Sequence, residues 1–293
     1  MNKYRILAKL LALFTLLVAV LAAYHLWARP YQLRWGATDS EVKRSIPGDE
    51  LHENATFLAT RAITILGTPD EIWPWLVQMG YGRAGFYGYD ILENLGSERG
   101  IRSADRILPE FQDFTVGDEV PISPVARMVF HAIEPNRFLI WKGEEDQLPG
   151  VFTWALYPID ENQTRLISRI RWSYHWSELS VLPLELFTEF TDHIAVRKIL
   201  QGVKDRVEGR VESMAQQNVE FAVYLLVFAI FLFAVVLLVL RPLTWRTWLA
   251  VLVAGGAWLI TWYVPIPIWI GAALGLLTCL WLRQVFRAPT RDA

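Results

Sequence analysis

Apolar residues fall into two regimes along this chain: unbroken runs near both ends, and short alternating or three-and-four-spaced patterns between them. The first run covers residues 10–27 (LLALFTLLVAVLAAYHLW), about as long as a bilayer core requires at ~1.5 Å per residue. It predicts a transmembrane helix within residues 1–28, with Tyr24 and Trp27 as an interfacial anchor. A cleaved signal sequence ending in the small residues at 20–23 is the competing reading, disfavoured because the run continues past them. Later runs predict a second spanning helix at 219–240 and a hairpin at 247–282 that turns at Pro265 and Pro267, with a re-entrant pair as the alternative. Trp245, Trp248, Trp262, Tyr263, Trp269 and Trp281 lie near the ends of these runs, as an aromatic belt would, and 283–293 is left as a basic tail.

Between the runs the periodicity changes. Residues 29–58 break every pattern and read as an ordered lead-in strap, and 59–218 reads as one folded domain. Arg61, Ile63 and Ile65 alternate with Ala62 and Thr64, a strand that ends at Gly67. Thr68, Pro69 and Glu71 form the sequence of a capping box ahead of a helix, and Pro74 inside that helix should bend it. The glycine-punctuated stretch 80–121 predicts a short helix at 86–95 and turns at 96–100 and 116–119. Four β-rich segments follow at 128–133, 138–142, 151–157 and 165–174, separated by turns that include EEDQLPG. In the last, Leu166, Ser168, Ile170 and Trp172 share one face, while Arg165, Arg169 and Arg171 share the other, which predicts a solvated outer face. Beyond Pro183 the spacing of Val196, Ile199, Leu200, Val203, Val207, Val211 and Met214 predicts one long helix that could run straight into the next apolar segment, with Lys204 and Glu208 paired on its exposed side.

Composition sharpens this picture. The 293 residues are 53% hydrophobic, which leans towards a membrane protein. The net charge of -2 hides a division: residues 29–218 carry 20 basic and 28 acidic side chains, the rest 8 and 2. An acidic middle excludes a nucleic-acid partner, which would need clustered Lys and Arg. The basic residues flanking the apolar runs (Lys3, Arg5, Lys9; Arg241, Arg246; Arg283, Arg287, Arg291) favour a cytoplasmic N-terminus in a bacterial plasma membrane, with the 29–218 domain on the far side. Arg29, Arg34, Lys204, Arg206 and Arg210 argue the other way, although loops this long obey the rule poorly. Cys279 is alone, so disulfide, CxxC and cysteine–zinc chemistry are out, and the five scattered histidines give no metal spacing. No phosphate-binding loop or GxSxG elbow is present, and Ser173 beside His175 has no orienting acid beyond Glu178. No cofactor is implied.

The order strand, capped helix, short helix, antiparallel meander and long closing helix is that of an α+β helix-grip fold. TRAITILGTPDEIWPWLVQMGYGRAGFYGYDILENL and IRSADRILPEFQDFTVGDEVP resemble the membrane-anchored bacterial branch of the START-like or SRPBCC superfamily, the polyketide cyclase/lipid transport type. That resemblance implies a curved sheet gripping the last helix around an apolar cavity, and it transfers no catalytic residue.

Candidate ligand contacts are Trp73, Trp75, Phe86, Tyr87, Tyr89, Asp90, Trp154, Trp172, Phe187 and Phe190. Each tryptophan has a plain core reading too. Glu93 is expected to pair with Arg102 or Arg106, and with Asp105 to pin the shape of the loop. The expected activity is binding of a lipid or other lipophilic small molecule without catalysis. A cyclase- or dehydratase-like enzyme using Asp90, Glu93 and the tyrosines, and a structural module for an unidentified protein partner, are the alternatives.

Overall fold

The computed structural model describes residues 3–93, 102–144, 149–173, 182–241, 244–264 and 266–287. They form two compact units, one from Tyr24–Met214 and one from Met1–Ala23 with Ala215–Ala293. Several sequence features lie outside the described residues: Leu95 and the 96–100 turn, most of EEDQLPG, Tyr174, His175 and Glu178, Pro265, and the tail from 288.

In the Tyr24–Met214 unit, a π-helical turn at Tyr24–Ala28 leads into α2 (Arg29–Leu33) and α3 (Asp39–Lys43). β1 (Phe57–Leu66) is followed by α4 (Pro69–Val77) and α5 (Asp90–Glu93). Then come β2 (Glu119–Pro121), β3 (Arg127–Glu134), β4 (Phe138–Lys142), β5 (Gly150–Pro158), β6 (Gln163–Trp172) and α6 (Leu182–Val207). The six strands form one antiparallel sheet in the order β1-β6-β5-β4-β3-β2, so the first strand pairs with the last and the rest is a meander. A bulge between Phe130 and Ala132 interrupts the β3–β4 register. Local bulges of this kind bend a strand and strengthen its twist. Val196, Ile199, Leu200 and Val203 of α6 join Phe57, Trp141, Trp154, Leu166 and Ile170 of the sheet in one apolar core. This is the helix-grip architecture that the element order implied.

The register explains which side chains meet. Phe57 pairs with Trp172, Ala59 with Ile170 and Arg61 with Ser168, so these residues share the face towards α6. At the start of α4, the Glu71 carboxylate accepts the Thr68 backbone N–H at 2.8 Å, as the capping box requires.

Four expectations need correction. The arginine face of β6 is not solvated: Arg169 is 3% exposed, because residues 41–53 of the strap lie across it. Its guanidinium donates to Asp49 at 2.6 Å and to the carbonyls of Glu41, Val42 and Arg44, while Arg171 donates to the other Asp49 oxygen and to the His52 and Glu53 carbonyls. Arg165 clasps both oxygens of Glu41 at 2.7 and 2.9 Å. The strap also adds to the open edge of β1, where Ala62 N–H donates to the Trp35 carbonyl. Alternation gives a side chain's face but not what covers that face.

The short helix starts at Asp90 rather than at 86, because Tyr87 sits at φ 64° and a left-handed residue cannot belong to a right-handed helix. The long helix stops at Val207, where Gly209 takes φ 73° in the left-handed region that ends many helices. Val211 lies in the connection and Met214 begins the next helix. Finally β2 follows directly on the turn expected at 116–119, in a stretch read as loop, since three residues are too few to show a period.

The second unit is helical. It holds α1 (Lys3–Ala23), α7 (Met214–Leu240), α8 (Trp245–Tyr263) and α9 (Ile268–Arg287). Ile230, Ala234 and Leu238 of α7 pack with Ala250, Val251 and Ala254 of α8, Leu282 of α9 and Leu16 of α1. Lys9 Nζ donates to the Val239 carbonyl at 2.9 Å. Many large apolar side chains point away from this core, among them Leu11, Phe14, Leu226, Phe233, Leu276 and Leu277. Among the described residues, two helices are long and apolar enough to cross a membrane: Ile6–Leu33, which continues α1 through the π turn into α2, and Met214–Leu240.

Candidate functional site: a cavity between sheet and helix

The two layers of the helix-grip unit do not close completely. Between them lies a cavity of about 400 Å³, inside the size range of small-molecule sites. Its sheet wall is Phe57 of β1, Met128 of β3, Trp141 of β4, Phe152 and Trp154 of β5, and Ile170 and Trp172 of β6. These rings support one another. Phe152 stacks on Trp154 with centroids 4.7 Å apart, and Trp141 meets Trp154 edge-on at 5.7 Å. Phe86 closes the cluster with an edge-on contact to Trp141 at 6.4 Å. The helix wall is Thr188, Asp192, Ala195, Val196 and Ile199, one stripe of α6, and the loop wall is Gly88, Tyr89, Leu92 and Glu93.

The candidate residues read from the sequence divide in two. Phe86, Tyr89, Trp154 and Trp172 line the cavity, whereas Trp73, Trp75, Tyr87, Asp90, Phe187 and Phe190 are not in its lining. Trp73 packs near Phe114, and Phe187 is 64% exposed on α6. Trp75 and Tyr87 form a buried edge-on pair at 5.9 Å, with the Tyr87 hydroxyl donating to the Trp75 carbonyl at 3.0 Å and accepting from Gln78 at 2.9 Å. Arg206 lies over the Tyr87 ring at 4.2 Å, and burial pushes the phenol well above its ordinary pKa. Tyr87 is therefore a keystone beneath α6. Gly202 permits that approach, since a Cβ there would come within 2.1 Å of the Tyr87 carbonyl oxygen.

The polar cluster of the loop is wired differently from expectation. Glu93 accepts the backbone N–H groups of Phe86 at 2.9 Å and Gly88 at 2.8 Å, holding the chain on both sides of the strained Tyr87. Burial pushes the Glu93 carboxyl above the usual carboxylate range, against the pull of those two donors. Asp90 accepts Ser103 N–H at 3.0 Å, and the Ser103 hydroxyl accepts from Tyr87 N–H at 3.1 Å. Arg102 reaches Asp105 at 3.8 Å on the surface, and Arg106 contributes its carbonyl to Gln78. Backbone amides, rather than arginines, are what Glu93 holds.

Sequence reasoning missed the floor of the cavity. Asp192 accepts from Arg61 at 2.8 Å, and Arg61, itself fully buried, also donates to the Gln32 carbonyl at 2.9 Å. One turn earlier Glu189 receives both nitrogens of the Arg29 fork, and the Tyr24 hydroxyl at 2.8 Å. His193 is held neutral, its pKa driven down to about 2 by burial and then by the nearby Arg61 and Arg197 charges. A signal was present: Asp192 precedes Val196 by four positions and Ile199 by seven, a charge on the apolar stripe of α6.

No protein-family model matches the chain, and no curated protein matches it. Among solved structures it aligns with the Aha1 dimer from Colwellia psychrerythraea at 14% identity and TM-score 0.32, over 54% of this chain and 100% of that one. A polyketide-cyclase-like protein from Corynebacterium glutamicum aligns at 13% and 0.32, over 53% and 93%. CalC, a self-sacrificing resistance protein from Micromonospora echinospora, aligns at 11% and 0.34, over 52% and 94%. Alignments this shallow say nothing of ligand or chemistry, and the helix-grip architecture stands on the strand order and register above.

Proposed function

We propose that the helix-grip domain holds a lipid or other lipophilic small molecule in the cavity between its sheet and α6, and that the apolar helices anchor this domain to a membrane. The observation that carries the reading is the cavity itself: about 400 Å³ walled by aromatic rings. A molecule with a hydrocarbon body would cover these rings and gain contacts with them. The outward Leu, Phe and Val side chains of the helical unit support the anchor, because an apolar exterior of that extent favours hydrocarbon over water. The basic flanks Lys3, Arg5 and Lys9, and Arg241 with Arg246, support a cytoplasmic N-terminus and a domain on the opposite side of a plasma membrane.

Acid–base catalysis has one group to offer from the loop. Glu93 is on the cavity wall with a raised pKa, yet its two oxygens are engaged by Phe86 and Gly88 amides, which favours a pinning role over proton transfer. The test is direct. Full-length protein is extracted with its native lipid into polymer discs, washed, and its retained small molecules are identified by mass spectrometry beside Ala195→Trp, which places an indole in the cavity. A lipophile retained at near one per chain and lost in the variant is the expected result. Identical lipid profiles for both proteins would overturn the reading.

A further inference from the structure

The wall of the cavity carries two carboxyls with different freedom. Glu93 has both oxygens occupied by backbone amides. Asp192 has one: its Oδ2 accepts from Arg61 Nη2 at 2.8 Å, and among the described residues no donor reaches Oδ1. The Asp192 side chain keeps 19% of its surface although it lies deep in the domain, so the space it opens onto is the cavity. A charged, directional acceptor is thus set into a cavity lined mainly by apolar residues, Phe57, Ile170, Trp172 and Val196 among them. Packing does not need the pair, for apolar residues in place of both Asp192 and Arg61 would fill the same space without a desolvation cost.

Resting on the reading of this cavity as a ligand site, we infer that Asp192 receives the polar end of the ligand, and that the ligand is a neutral lipophile bearing a hydrogen-bond donor, such as an alcohol. The charge arrangement selects this class. Arg61 is fully buried, and leaving its guanidinium without a counter-charge would be far more costly than keeping Asp192 ionised beside it. Burial pushes the Asp192 carboxyl up and the Arg61 guanidinium pulls it back, and the close contact with that buried cation keeps Asp192 as the anion of a neutral pair, next to a Glu189 paired with Arg29. A carboxylate ligand would meet Asp192 with like charge and no free arginine fork. An ammonium ligand would add an unbalanced charge to a site whose nearest pairs are already neutral. A hydroxyl adds neither, and donates one hydrogen bond to the vacant Oδ1 while its hydrocarbon body replaces void with contact. Thr188, one helical turn before Asp192, is the other polar side chain that α6 brings to this wall.

The experiment uses the full chain in lipid discs and four probes of one chain length: 1-dodecanol, its methyl ether, dodecanoate and dodecylamine. Bound probe is quantified by mass spectrometry against empty discs. The expected result is that wild type holds the alcohol about tenfold more tightly than the ether, which lacks only the donor, and above the acid and the amine. Asp192→Asn, and the double variant Asp192→Asn/Arg61→Met that leaves no unpaired guanidinium, are expected to bind alcohol and ether alike while retaining the ether at wild-type level. Equal binding of alcohol and ether by wild type would overturn the assignment of Asp192 while leaving the cavity as a ligand site, and so would a preference for dodecanoate. Failure of all four probes to exceed empty discs would overturn the ligand-site reading, and this inference with it.

Discussion

The two faces of the sheet are both covered, by opposite means. Towards α6, the sheet presents Phe57, Phe152, Trp154, Ile170 and Trp172, and the layers fail to close around them. Towards the strap it presents Arg165, Arg169 and Arg171, and the closure there is complete down to individual carbonyls. Apolar contact is non-directional and tolerates a void, whereas buried guanidinium groups must find an acceptor for each donor. The outer face is therefore held by directed bonds, whereas the inner face keeps room between the layers.

The comparison breaks first at Arg169. Arg169→Ala removes the ion pair with Asp49 and three bonds to strap carbonyls, and leaves Asp49 short of a partner. The expected cost is about 3–5 kcal/mol of unfolding free energy. Limited proteolysis should find new cuts between residues 41 and 53. A variant as resistant as wild type would mean that the strap is held elsewhere. A comparable effect is expected at Gly202→Val, whose Cβ would lie 2.1 Å from the Tyr87 carbonyl oxygen, so that backbone must shift at a cost of about 3 kcal/mol or more. Its melting curve should shift without new cleavage in the strap, because the damage is on the inner side. Ala195→Trp should move stability by only about 0.5 kcal/mol, since Ala195 is exposed on the cavity wall, and still abolish ligand retention. A large loss of stability there would show that the cavity wall is under the same constraint as the outer face.

Acid sharpens the contrast with the smallest effect. Burial would raise the Glu41 carboxyl, but its bonds from Arg165 and Thr38 prevail and hold it below its ordinary value. A depressed carboxyl contributes stability that is present above its unfolded pKa and lost as pH falls through the folded one. Melting temperatures of wild type and Glu41→Gln should therefore differ at pH 7 and converge as pH drops below about 4. Glu93 runs the other way: its carboxyl is raised, so its cost at neutral pH is relieved on acidification. A gap between wild type and Glu41→Gln that persists at low pH would remove the Glu41–Arg165 pair from the account of the strap.

Much of this fold was legible along the chain. The alternation in β6 assigned Leu166, Ser168, Ile170 and Trp172 to one face, and the capping box at Thr68 marked the start of α4. What escaped depends on partners far away in sequence. Arg169 and Asp49 are 120 positions apart, and no local period reports that a strap will return to cover an arginine. Tyr87 looked like a ligand contact because it sits among glycines and tyrosines. Its positive φ and the close pass of Gly202 are properties of the assembled layers, and they turn it into a packing residue. Asp192 and Arg61 each break an apolar period on an inward face, and reading the two breaks as one opposite-charge pair would have located the cavity floor.

The π turn at Tyr24–Ala28 sets a phase. In an α-helix, residues five apart point to different sides, at ~100° per residue, but a turn with one residue more per hydrogen-bonded loop brings such positions back towards one side. Tyr24 and Arg29 are five apart, and both reach the same buried carboxylate of Glu189. Excising a single residue from this turn would put the helix out of step across it, with Arg29 still at Glu189 and Tyr24 swung away from it. The spelling of those five residues thus decides whether Tyr24 and Arg29 can share one carboxylate.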